Sequence, residues 1–366
     1  MPAYRLNPLL DVPALAADRY GAICDRLAEL LQTRNDVVVV QAEAVVALEA
    51  AAVSLMRPGM KALNIVTSPY GRWFGDWMRR AGANVIDITA TPAKAVDLSA
   101  VAAAIAQNPD ASVLSLVHAE SASGIYNPLP EIVALARENG LLTVVDAVAS
   151  VGGHELAVDA FGIDIAVIGP QKALAGPAGL SALSVSPKAW EQIMKPGGPS
   201  NSILSLGDLK GWIDSGRGAM PGTPIPLEWH ALDAALDRVE DEGLEKMIAR
   251  HRQAAEATRA GLTALGALLW ADPGTGSQLI TTARLPENSS AGEILKTANR
   301  FDPTLSLGVG PGAERLVRFN HTGLQARFDA VITSITAYGL ALRSAGQPAQ
   351  IGAACEAVAE VYARAV

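Results

Sequence analysis

Two residues near the middle of the chain, Asp146 and Lys172, stand 26 positions apart, and each follows a short apolar run. In open α/β sheets the loops that leave such runs are where ligands bind. One crossover fills about that spacing, so two neighbouring strand ends could aim a carboxylate and an amine at one pocket. A lysine there can form a Schiff base with an aldehyde-bearing cofactor, and a carboxylate opposite a pyridine nitrogen keeps that nitrogen protonated, so that the ring accepts electrons. On spacing alone the pair can equally be a surface amine and a helix N-cap. Three loops carry the residue types of interest: His118-Ala-Glu120-Ser121-Ala-Ser123-Gly124, Asp146-Ala-Val148-Ala-Ser150, and the stretch from Gly169 through Gln171 and Lys172 to Gly179.

The elements that must position them are legible as alternation. Between residues 37 and 185, β-branched or leucine-rich runs alternate with longer helical patterns, which predicts βα units on a mostly parallel sheet. Strands are expected at 62–66, 84–88, 112–118, 141–146, 163–168 and 181–185, several of them continuously apolar, as strands covered on both faces must be. Helices are expected at 44–56, 72–81, 98–107 and 129–139, the first stopped by Arg57-Pro58-Gly59 and the last by Asn139-Gly140. The Gly-, Pro- and Ser-rich stretch 195–226 marks a boundary. Beyond it come amphipathic patterns over 227–265, strands at 278–284, 306–308 and 316–319, and helices at 291–300, 325–344 and 351–365. The expected division is a large α/β domain with its N-terminal segment, 1–232, and a smaller α+β domain, 233–366.

Composition removes several classes of function. At 366 residues, 50% hydrophobic and 18% charged, the chain is long and apolar enough to bury a core and is not a disordered one. A net charge of −8 without any Lys/Arg cluster leaves no phosphate-neutralising surface, so no nucleic-acid partner is expected. The apolar run Val37 to Val40 meets Gln41, Glu43 and Glu49 before it could span a bilayer, and the N-terminus lacks a leader pattern, so no membrane partner and a cytoplasmic location are expected. Cys24 and Cys355 belong to no ligand cluster and read as reduced core residues. His118, His154, His230, His251 and His321 show no metal-ligand spacing and read as structural, and no metal is expected. Gly308-Val-Gly310-Pro-Gly312 lacks the βαβ start that a dinucleotide fingerprint needs.

Six segments occur in an order that resembles a known family: ALEAAAVSL (47–55), VHAESASG (117–124), VVDAVASVGG (144–153), GPQKALAGPAGL (169–180), GTPIP (222–226) and LVRFNHTG (316–323). The chain is similar over these segments to the class V aminotransferases, fold type I pyridoxal-phosphate enzymes, and within them to the alanine/serine–glyoxylate and pyruvate branch. The resemblance implies pyridoxal 5′-phosphate as cofactor. It implies that Lys172 forms the Schiff base and carries the proton, that Asp146 pairs with the pyridine nitrogen, and that Val148 and Tyr70 pack on the two faces of the ring. Ser121 would lie near the ring's phenolic oxygen, while Gln171 and the backbone of Ala44 and Val45 would hold the phosphate. Thr223 would reach the phosphate of a second subunit, which implies a homodimer, and Arg318 would grip the substrate carboxylate. The reaction implied is amino transfer between a small amino acid and a 2-oxo acid such as pyruvate or glyoxylate.

The departures qualify that picture. The chain begins only a few residues before the pattern of the first helix, where the family has a Gly-Pro-rich segment, so part of the usual site wall is expected to be missing. Met220 stands where a phosphate-binding tyrosine is common. Glu43 stands where the family has a small phosphate-contacting residue, and its charge would repel a phosphate unless it turned away or took a proton; the bland reading is an acid in the first turn of a helix. That glutamate resembles one branch, the pyridoxamine–pyruvate aminotransferases, which act on free pyridoxamine, although their second carboxylate-binding arginine corresponds here to Val309. Free pyridoxamine is therefore the second substrate reading, and a degenerate member that binds cofactor without turnover is the third.

Overall fold

The computed structural model describes residues 12–272, 274–310 and 313–364, and the apolar runs of the sequence form its central sheet. Strands β1 (Asp36–Val40), β2 (Lys61–Val66), β3 (Asn84–Thr89), β4 (Ala111–Val117), β5 (Leu142–Asp146), β6 (Ile165–Ile168) and β7 (Ser181–Val185) lie in the order β1-β7-β6-β5-β4-β2-β3. The pairs from β6 across to β3 are parallel, whereas β7 runs against both of its neighbours. Side chains alternate between the two faces of a strand. Leu63, Leu114, Val145 and Ala166 accordingly enter one core, and Ala62, Val113, Val144 and Ile165 enter the other. Burial on both faces is why β1, β5 and β6 read as nearly unbroken apolar runs, whereas β3, at the edge, is only partly covered.

Helix Pro69–Arg80 begins three residues before the expected 72. Ser68 caps it, its Oγ accepting from the Tyr70 N–H at 3.2 Å, and Pro69 enters the first turn, where a missing N–H costs nothing. Helix Ala44–Leu55 follows β1 after three residues. The carboxyl ends of β1, β2, β4, β5 and β6 all point to one edge of the sheet. Glu43, Tyr70, Ser121, Asp146 and Lys172 stand on the loops or strand ends at that edge.

A second sheet, antiparallel in the order β10-β11-β9-β8, is built from β8 (Leu268–Leu269), β9 (Ile280–Arg284), β10 (Ser306–Leu307) and β11 (Leu316–Asn320). Helices Leu244–Leu265, Ala291–Ala298, Phe328–Ser344 and Ile351–Ala363 cover it. A third core, with Leu262, Val317, Phe319, Ile335, Tyr338 and Val358, fills the space between. The expected helix start at 325 is a 3-10 turn, Gly323–Gln325, and the helix proper follows it. The expected division after residue 232 falls inside helix Pro226–Glu242, whose Trp229, Leu232, Leu236 and Val239 pack into the first core, while the third core is drawn from residues 254–358.

Cys24 is buried in the first core; Cys355 is only half-buried, because it lies on the partly exposed face of the last helix. Among the described residues no helix is long and apolar enough to cross a membrane. Of Gly308-Val-Gly310-Pro-Gly312, the last two residues lie outside the described residues.

Candidate active site

Asp146 is the last residue of β5 and accepts from the Val148 N–H at 3.0 Å. Burial raises its carboxyl to about 6; the Val148 bond and Lys172 oppose that shift, and Glu43 adds to it. Lys172 lies four residues beyond β6. Burial lowers its amine from the ordinary lysine range, the neighbouring Arg318 lowers it further, and Glu43 and Asp146 pull it back. The two residues, with Tyr70, Ser121, Val148 and Glu43, line one cavity of about 270 Å³. Trp73, an aromatic that sequence reasoning passed over, meets Tyr70 edge-on with ring centroids 5.4 Å apart and closes the same wall.

A second cavity of about 350 Å³ shares Ser121, Ala149 and Lys172 with the first. Its far wall is the small sheet. Residues 318 and 306 lie opposite each other across β11 and β10, and Arg318 donates to Ser306 Oγ from Nε at 3.1 Å and from Nη2 at 2.9 Å. Its Nη1 donates to the Ser121 carbonyl at 2.8 Å. No carboxylate of the described residues pairs with this guanidinium, so it faces the cavity as a positive fork whose charge is not neutralised. That is the arrangement a substrate carboxylate calls for.

Glu43 is the N-cap of helix Ala44–Leu55, one position earlier than a first-turn acid. One carboxylate oxygen accepts from the Val45 N–H and the other from Gln171 Nε2, both at 2.8 Å. The chain's own carboxylate thus sits on two of the donors that a phosphate would use at this helix N-terminus. Thr223 is not brought to this site within the chain. It is exposed, and its carbonyl accepts from Gln41 Nε2 at 3.2 Å, while Gln41 Oε1 takes the Ile225 N–H and the Trp229 indole. Met220 likewise stands apart, in a groove with Gln41 and Ile203. Val309 does not face Arg318 at all: it lies in a separate cleft with Trp73 and Trp270, beyond the Tyr70 helix.

Glu120, named in the sequence only as part of its loop and given no role, is wholly buried beside Ser121. Thr67 Oγ1 donates to its Oε1, its Oε2 has no partner among the described residues, and burial pushes the carboxyl up to about 7. An acid directly after an apolar strand exit was the available signal. His118, His154, His251 and His321 brace the seam between the two sheets, whereas His230 lies apart and bonds the Pro13 carbonyl. The His154 ring stacks on Tyr126 at 4.4 Å and accepts from the Gln278 N–H at 3.0 Å, and His251 accepts from the Gly323 N–H at 2.9 Å. His321 bonds Thr281 Oγ1 at 2.9 Å, and His118 packs against both Tyr126 and His154.

The sequence profile of the family described as aminotransferase class-V matches residues 10–291. The pyridoxamine–pyruvate transaminase of Mesorhizobium japonicum is 35% identical over 93% of this chain and 88% of its own length. The chain is a class V aminotransferase. The crystal structure of pyridoxamine-pyruvate aminotransferase from Mesorhizobium loti superposes on this class V aminotransferase with a TM-score of 0.92, 34% identity, and coverage of 96% of this chain and 90% of that one. The alanine–glyoxylate aminotransferase of Callithrix jacchus is 32% identical over 81% of this chain and 73% of its own length.

Class V aminotransferases are pyridoxal-phosphate-dependent enzymes acting on small molecules, and this aminotransferase is one of them. The ring end of that cofactor fits the 270 Å³ cavity, where Asp146, Lys172 and the aromatic wall converge. The phosphate end fits only with the Glu43 carboxylate turned out of its cradle, since as it stands Glu43 takes up the Val45 and Gln171 donors.

Proposed function

We propose that this aminotransferase passes an amino group from free pyridoxamine to a small 2-oxo acid of the pyruvate type. One observation carries the reading: the Glu43 carboxylate rests in the phosphate cradle, where its charge disfavours a phosphate dianion and its oxygens can accept from the hydroxymethyl group of the unphosphorylated ring. Similarity to a pyridoxamine–pyruvate transaminase over most of both chains supports it.

A bound pyridine aldehyde supplies a carbonyl carbon for an amine and a protonated ring that takes up an electron pair. The protein's own residues do the rest. Lys172 Nζ, its proton affinity lowered by burial and by Arg318, would be the nucleophile toward such a carbonyl and the base that moves a proton at the substrate carbon. Asp146, ionised above pH about 6, holds the ring nitrogen's proton. Tyr70, Val148 and Ser121 line the cavity that would hold the ring, and Arg318 would fix the carboxylate in the adjoining cavity.

A conventional amino-acid donor with phosphorylated cofactor is the second reading. Glu43 is solvent-exposed, so its side chain can rotate away and free Val45, Gln171 and the helix N-terminus for phosphate. We read the enzyme as a cytoplasmic homodimer: the two free thiols suit a reducing compartment, and exposed Thr223, apart from the site of its own chain, would reach a phosphate across an interface under the second reading.

Steady-state turnover decides between the two donors. With free pyridoxamine and pyruvate, pyridoxal is expected to accumulate over many turnovers, at least tenfold more slowly in Glu43→Gln. Absence of pyridoxal, together with phosphorylated cofactor retained through gel filtration, would overturn the proposal in favour of the amino-acid donor.

A further inference from the structure

The wall of the Arg318 cavity carries a second recognition group. In β11, residues 318 and 320 lie on the same face of the strand, while Val317 and Phe319 alternate into the third core. Arg318 and Asn320 accordingly both line the cavity that holds Lys172, their Cα atoms two strand positions or about 6–7 Å apart. The orientation of the Asn320 amide is fixed by the backbone: Oδ1 accepts from the Thr322 N–H at 3.1 Å. Its Nδ2 is thereby turned away from Thr322 and has no hydrogen-bond partner among the described residues. Ser306 Oγ accepts twice from Arg318, which leaves its O–H free to donate. Gln325, half-buried on the same wall, has neither amide atom engaged among the described residues.

Charge on this wall is confined to two residues. Lys172 and Arg318 are the ionisable residues that line the cavity, and everything beyond them is neutral, much of it hydrogen-bonding. A second carboxylate on the substrate would find no cation of its own there, because Arg318 already serves the first carboxylate, Ser306 and Ser121. A purely apolar side chain would cover the Asn320 N–H₂ without pairing it, and a site built to hydrogen-bond rejects analogues that lack the partner. What fits is a neutral group that offers an oxygen to Asn320 Nδ2 and can exchange a further bond with Ser306 or Gln325.

We propose that Asn320 determines specificity in this enzyme, and that among the 2-oxo acids held by Arg318 the preferred one extends pyruvate by a carboxamide-type neutral group one carbon beyond its 3-position, which Asn320 Nδ2 recognises, pyruvate itself being turned over without that contact. The proposal rests on the reading of Arg318 as the holder of the substrate carboxylate. It does not depend on which amino donor is used.

Three 2-oxo acids of nearly identical shape test it: 2-oxosuccinamate with a carboxamide, oxaloacetate with a carboxylate, and 4-methyl-2-oxopentanoate with an isopropyl group. They are run against whichever donor, pyridoxamine or alanine, turns over. The wild type is expected to show kcat/KM at least tenfold higher for the carboxamide acid than for either of the others. In Asn320→Leu the ratio of carboxamide to isopropyl acid is expected to fall at least tenfold. Asn320→Ser, too short to reach, should shift the ratio in the same direction, and the extra thermal stabilisation given by the carboxamide acid should vanish in both variants, each first shown by its melting temperature to be folded. A wild type that prefers the carboxylate or isopropyl acid, or variants that slow all three acids by one factor, would overturn the inference. Arg318→Ala separates the two levels. A KM raised for every acid supports the carboxylate reading on which the inference stands, and an unchanged KM removes that reading and the inference with it.

Discussion

A lysine amine attacks a carbonyl only after losing its proton, so the influences on Lys172 set the pH range in which this site can work. Burial and Arg318 both lower the amine, and Glu43 and Asp146 raise it. Removing Arg318 deletes one of the lowering influences, so the amine of Arg318→Leu should stay protonated to higher pH. Borohydride trapping of pyridoxal on Lys172, read by peptide mass across pH, is expected to show its acid limb displaced upward in the variant; an unmoved limb would count against this coupling. Asp146 acts on the same acid side, since turnover should fall as pH drops below about 6 and its carboxylate takes a proton. Much of this pair was legible as an acid and an amine one crossover apart. Ser306 and Asn320 were not: their part depends on cross-strand pairing and on a two-residue stagger along β11, which appear only once the strand's register is known.

At the scale of elements, most strands were legible from their apolar runs, as in β5 and β6, although β1, a run of four buried valines, was not among the expected strands. Starts and stops set by side-chain caps were less so. The pattern alone starts this helix at 72, yet the serine oxygen and the proline geometry together begin it at Pro69, which places Tyr70 in its first turn at the site. The small sheet meets the large one just as closely. Gly323, at φ +60°, lies so near the Lys172 carbonyl that an added Cβ would approach it to 2.9 Å. Gly323→Ala therefore combines a left-handed backbone with a clash against the residue that anchors the chemistry. A loss of about 1–3 kcal/mol in stability is expected, with kcat reduced more than KM, checked by denaturant unfolding and steady-state kinetics. Unchanged stability would mean that the 320–325 loop shifts freely on Lys172.

Across the whole molecule, the seam between the two sheets is packed with neutral imidazoles. Burial lowers His118 and His321 to about 3 and His251 to about 4, and it holds His154 well below the ordinary histidine range. Unfolded, each would take its proton near pH 6.5, so the stability they contribute is complete above that pH and is lost as pH falls below it. Glu120 and Asp146 act in the opposite direction, because their raised carboxyls bind protons in the folded state first, from about 7 and about 6 downward. Four groups against two leave the unfolded chain ahead by about two protons, each worth about 1.4 kcal/mol per pH unit. The melting temperature is expected to change little above pH 7 and to fall steeply below pH 6; a curve that rises toward acid would show that the buried carboxyls dominate.

The position of β7 bears on how the chain reaches this state. It wedges between β1 and β6, so Asp36 pairs with Val185 and Val40 with Ser181, residues far apart along the chain. A growing polypeptide released to residue 170 would hold β2 through β6 but leave β1 without a neighbour, and Glu43, just beyond β1, would have no Gln171 to meet. Such distant pairings close slowly. The Glu43–Gln171 half of the anion cradle depends on β7 closing between β1 and β6, so a copy complete through Lys172 with β7 still unpaired would present its lysine pocket without the carboxylate placed to select what enters it.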